Sequence, residues 1–75
     1  MNAIELKMPG YTTQLIALSA IETVGFAKSN EVSAIDVTRI KITGKEKQIV
    51  IEGDHAERVY EAIKKELGAN SYDFN

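Results

Sequence analysis

The sequence has no cysteine, no tryptophan, one proline, one histidine and few aromatics, three tyrosines and two phenylalanines in 75 residues. Without cysteine there is neither a disulfide framework nor a thiolate zinc site to reinforce a small fold. The one histidine, His55, has only Asp54 and Glu57 near it, a spacing that matches no recognised metal-ligand pattern, so no metal and no cofactor are expected. No cysteine nucleophile exists, and nothing around Ser19, Ser29, Ser33 or Ser71 resembles a nucleophile elbow, so the chain is expected not to be an enzyme. The five glycines form neither G-x-x-x-x-G-K-[ST] nor G-x-G-x-x-G. No apolar run approaches the roughly 20 residues of a membrane span, and the first residues lack a basic-then-apolar signal. A cytoplasmic chain with no membrane partner is the expectation.

What is present is an ordinary composition, 44% hydrophobic and 27% charged, with a net charge of −2. A chain of this length buries only roughly 60% of the surface it exposes when unfolded. A lone monomer would be marginal, which points to a well-packed miniature core or to self-association.

The last element is the clearest. Ala56, Val59, Tyr60, Ile63 and Leu67 fall on one helical face, predicting a helix over about 55–67. Asp54 at the N-cap and Glu57 at N3 have the spacing of a capping box, Lys64 and Lys65 complement the far end of the dipole, and Gly68 supplies a left-handed stop. Before it, Ile40 and Ile42 alternate with Lys41 and Thr43, and Ile49 and Ile51 with Val50 and Glu52, predicting a hairpin around Gly44-Lys45-Glu46-Lys47. Ile35 and Val37 have the opposite parity to Ile40 and Ile42. That predicts either a bulge near Thr38-Arg39 or a two-faced strand partly covered by another chain. Ile4, Leu6 and Met8 form one face of a first strand that Pro9-Gly10 closes.

Residues 12–27 admit two readings: a helix capped by Thr12 or Thr13, or two short strands, 14–18 and 22–27, joined through Ser19-Ala20-Ile21. The helix would be apolar on nearly every side, and the β-branched content and Val24/Phe26 alternation favour strands. Ser29-Asn30-Glu31 reads as a turn. The fold class is therefore α+β, an antiparallel meander of about four to five strands closed by one C-terminal amphipathic helix. A single domain is expected over 1–68, followed by a polar tail over 69–75.

Leu15-Ile16-Ala17-Leu18-Ser19-Ala20-Ile21-Glu22-Thr23-Val24, followed by Arg39-Ile40-Lys41-Ile42-Thr43-Gly44 and by Ile49-Val50-Ile51-Glu52-Gly53-Asp54 running into a helix, resembles small pleckstrin-homology-like β-meander proteins of bacteria and phages. The resemblance covers about 12–67. Because the chain is shorter than a full domain of that kind, it implies half of a barrel that needs a partner.

Charge is unevenly spread. Residues 38–51 carry Arg39, Lys41, Lys45 and Lys47 against Glu46 alone, whereas residues 52–75 carry six acids against three bases. A solvated edge hairpin, where lysines discourage strand addition, is one reading of this basic patch. The other is an anion site: Arg39, Lys41 and Lys45 meeting phosphates, His55 and Arg58 adding donors at the helix start, and Tyr11, with Thr12 beside it, or Tyr72 stacking on a base. Tyr72 and Phe74 also read as incidental tail aromatics. Four basic residues without interleaved aromatics argue against duplex nucleic acid.

The expectation is a non-catalytic small binding protein, homo-oligomeric, that captures a small anionic, nucleotide-like ligand at or near a subunit interface. Small phage proteins that sequester a host immune signal are similar in size and style. The alternative is an adaptor or inhibitor of the anti-defence type, docking on a larger protein partner through its basic hairpin or sheet edge. A structural subunit that serves assembly alone is a third reading.

Overall fold

Alternating Ile4 and Leu6 build the first strand of the computed structural model, which describes residues 2–8, 10 and 13–74. β1 (Ala3–Lys7) pairs antiparallel with β2 (Thr13–Ala17), Leu6 opposite Gln14 and Ile4 opposite Ile16. One 3-10 turn, Leu18–Ala20, redirects the chain into β3 (Ile21–Ala27), which pairs with β4 (Val37–Ile42), which in turn pairs with β5 (Ile49–Glu52). The protein is thus α+β, with five antiparallel strands in sheets of two and three and one helix, α1 (Ala56–Leu67). Of the two readings of residues 12–27, the strands are correct. A helix there would have needed apolar partners on every side, and this chain has few to give.

The bulge expected near Thr38-Arg39 does not occur in β4, and one that the sequence did not suggest lies in β3. Ile21 faces Ile42 while Thr23 faces Lys41, so Glu22 is the extra residue of a bulge in β3, and the register of β4 against β5 runs unbroken through Thr38 and Arg39. A bulge lets odd-numbered Ile21 and even-numbered Val24 both pack against the core. Ile35 precedes β4 in a loop and is 46% exposed, so its parity was never part of the strand's pattern.

The second residue of β4 is polar. Thr38 is fully buried beside Ile40, and its hydroxyl donates 2.6 Å to the backbone oxygen of Ala56 in the first turn of α1. This bond satisfies a buried hydroxyl that would otherwise carry a desolvation cost, and it ties the middle strand to the start of the helix. From there Ala56, Val59 and Ile63 form the buried stripe, which meets Leu6 and Ile16 from one sheet and Ile40 and Ile51 from the other. Phe26 and Tyr60 stack at the margin of this core, ring centres 5.8 Å apart.

The helix begins differently from the capping box expected at Asp54. His55 holds the N-cap position with φ −90 and ψ −11, and its side chain makes no capping bond. A side-chain cap requires an extended backbone at that residue, whereas here Gly53 makes the turn with φ 93 and accepts the Ala56 N–H at 3.0 Å. The Gly53 N–H donates to the backbone oxygen of Asp36 at 2.9 Å, fixing the chain before Asp54 is reached. At the other end Gly68 closes α1 with φ 65, as the sequence suggested. Residues 69–74 follow without regular structure and are exposed.

Two outcomes test this packing. Val59→Asp should unfold the protein in far-ultraviolet circular dichroism, because Val59 is only 8% exposed and a charge there has no partner. Thr38→Val, nearly isosteric, should lower the denaturation midpoint by about 0.5–1.5 kcal/mol in free energy at unchanged denaturant slope.

Candidate functional site

Strand alternation sorts the basic side chains into separate places. Thr38, Ile40 and Ile42 face inward, so Arg39 and Lys41 point to the face of the sheet away from the helix, and both are exposed. Lys41 pairs there with Glu22 at 3.4 Å. Lys45 lies in the turn after β4. With Lys47 it overhangs an apolar cavity of about 450 Å³ formed by Leu15 and Ile16 of β2, Ile42 and Ile49. Arg39, Lys41 and Lys45 therefore do not converge, because the alternation that aligns the first two turns them away from the cavity beside the third. Tyr72 is 76% exposed in the tail. Tyr11 and Thr12 lie outside the described residues.

His55 and Arg58 do come together. Both line a groove of about 480 Å³ between α1 and the first strand, a size within the roughly 300–1,000 Å³ of small-molecule sites. His55, Arg58, Val59 and Ala62 fall one helical turn apart in pairs and supply one wall. The consecutive residues Glu5, Leu6, Lys7 and Met8 supply the other, so the groove follows the edge of β1 and not one of its faces. The sequence argument missed Lys7, which brings a third basic side chain. Its contact with Glu5, 3.7 Å between two well-exposed groups, is a weak surface pair that an anion can displace. Lys7 belongs to a strand with alternating charges and carried no local signal; only the tertiary approach of β1 to α1 gives it a role.

The groove thus has Leu6, Met8 and Val59 as an apolar floor and Lys7, His55 and Arg58 at its rim. The positive end of the helix dipole lies at the same end, and no side chain caps it. Among the described residues no cluster of three or more histidine, aspartate or glutamate side chains is placed to hold a metal, and no helix is long and apolar enough to cross a membrane. No family model, curated protein or solved structure matches the chain.

One carboxylate is electrostatically distinctive, and it lies elsewhere. Asp36 Oδ1 accepts the Ser29 N–H at 2.6 Å, closing the 28–36 loop, and this bond holds the carboxyl below its ordinary pKa; desolvation opposes it, and the Ser29 hydroxyl and Lys28 add to the lowering. Within the loop Asn30 Oδ1 accepts the N–H groups of Val32 and Ser33, both at 2.8 Å, which makes the turn expected at Ser29-Asn30-Glu31. A depressed carboxylate pKa stabilises the fold above the unfolded value and loses that contribution as pH falls through the folded value. The Ser29 amide resonance should accordingly titrate with Asp36 at a pH below about 3.9, the ordinary aspartate value, and Asp36→Asn should remove that titration.

Proposed function

We propose that this chain is a non-catalytic binding protein that captures a small anionic ligand, nucleotide-like in having both a phosphate and an apolar or aromatic body, and that it works as a homo-oligomer. The observation that carries the reading is the groove itself, where Lys7, His55 and Arg58 stand around an apolar floor. Arginine and lysine give charge-assisted bonds to phosphate oxygens, and the Leu6-Met8-Val59 floor takes the body of the ligand. Both walls come from one chain, so the pocket does not need a subunit interface to complete it.

The basic turn supports a second reading. Leu15 is 73% exposed and lines the same cavity as Lys45 and Lys47, a combination suited to docking on an acidic protein surface.

The test is a titration with adenosine monophosphate followed by amide chemical shifts. Saturable changes at 6–8 and 55–59 are expected, weakening as salt is raised. Lys7→Ala with Arg58→Ala should reduce affinity about ten- to a hundredfold while the melting transition stays in place. Shifts confined to 41–49 would move the site to the basic turn, and no saturable shift with any phosphate compound tried would favour protein docking.

A further inference from the structure

Helix α1 covers one face of the three-stranded sheet and leaves the other bare. The register places Lys41 beside Thr23, then Arg39 between Gly25 and Val50, then Val37 between Ala27 and Glu52 on that outer face. Val50 is 48% exposed, and the β3 positions carry nothing larger than threonine. Long side chains reach this face from Arg39, Lys41 and Glu52 and, at the bulge, from Glu22, so the stretch along Gly25 and Ala27 is left without one.

Gly25 is the telling position. It sits within a seven-residue strand, where glycine costs roughly 0.5–1 kcal/mol relative to alanine. Its φ is not in the left-handed region, and a Cβ built on it would meet nothing within 4 Å. Neither backbone conformation nor crowding within the chain requires glycine here. Close approach of a second backbone or molecule from outside is one physical reason for a glycine inside a strand, and the bulge of β3 lies at Glu22 and not here.

Two further observations say what approaches. Arg39 and Glu52 lie on this face two residues apart in register, yet the ion pairs among the described residues are Lys7–Glu5 and Lys41–Glu22, so this opposite pair is unused within the chain. A surface that carries one unpaired positive and one unpaired negative charge about a neutral centre is complementary to itself under a two-fold rotation. The chain also exposes 6028 Å², against about 4,600 Å² for a compact monomer of its 8.3 kDa mass. Its tail and the 28–36 loop contribute to that excess.

We propose that the outer face of β3-β4-β5 is covered by a second copy of this chain, sheet against sheet about a two-fold axis that passes between Arg39 and Glu52, near Val37 and Val50, with Arg39 of each copy meeting Glu52 of the other. The proposal rests on the homo-oligomer of the proposed function and names its surface, but that surface is separate from the anion groove, so it stands or falls without the ligand reading.

Sedimentation equilibrium of the ligand-free protein tests it. The wild type should have twice the mass of one chain. Gly25→Gln should weaken association by about tenfold or more, since overpacking a close interface costs roughly 1–3 kcal/mol. This variant has open space for its side chain in the single chain and should keep its fold by circular dichroism. Arg39→Glu and Glu52→Arg should each weaken association, and the double exchange should restore it. A wild type that is monomeric across the concentration series overturns the proposal. So does a dimer indifferent to Gly25→Gln, or a charge exchange without restoration, because each places the contact elsewhere. Failure of adenosine monophosphate to bind would overturn only the ligand reading.

Discussion

Helix α1 has to hold two sheets that share no ladder. It does so with a short stripe: Ala56, Val59 and Ile63 contribute all the helix's buried side chains, and Leu6, Ile16, Ile40 and Ile51 complete the core from four strands. With so few buried residues, the helix's position matters more than its intrinsic stability. That position is set at its first turn, by the Thr38 hydroxyl on Ala56 and by Gly53 anchored to Asp36. The polar anchors therefore lie where the chain passes from the middle of the sheet into the helix, and the apolar stripe fills what they have fixed. The groove depends on the same arrangement, because its two walls are α1 and β1, which have separate sheet partners and meet only through this packing.

The architecture was legible where periodicity runs over many residues. The 3.6-residue stripe of α1 and the two-residue alternation of β1, β4 and β5 each repeat often enough to specify an element, and the impossibility of burying an all-round apolar helix identified β2 and β3. Single-residue features were not legible. The capping box at Asp54 has a valid spacing, yet its geometry depends on the φ of Gly53, which spacing does not reveal. The parity argument placed a bulge near Thr38-Arg39 because Ile35 was counted as a strand residue, whereas it lies in the 28–36 loop that the Asp36–Ser29 bond closes; the bulge at Glu22 in β3 gave no such signal. Thr38 was passed over as an ordinary strand threonine; its burial depends on which residue of a distant helix lies above it.

Site residues divide along the same line. His55 and Arg58 share a helical turn, so the sequence could pair them, whereas Lys7 reaches them only through the fold. Arg39, Lys41 and Lys45 are neighbours in sequence and share a charge, yet pleating and a turn send them to different surfaces. A charge count over a window measures how basic a hairpin is, but strand alternation decides what each charge can reach.

The same alternation gives the molecule two surfaces with different uses. Inward residues of β3-β4-β5 are spent on the helix, the edge of β1 on the groove, and the outward residues, apart from the Lys41–Glu22 pair, on nothing within the chain. An isolated sheet face can remain solvated when long polar side chains cover it, but β3 offers Thr23, Gly25 and Ala27 there instead. Two copies stacked on that face would bury both sheets between two outer helices, a four-layer arrangement with a groove at the edge of each half and neither groove at the interface. One helix covers only one face of a three-stranded sheet, so in such a dimer the second layer that the outer face lacks within the chain would be supplied by a second sheet.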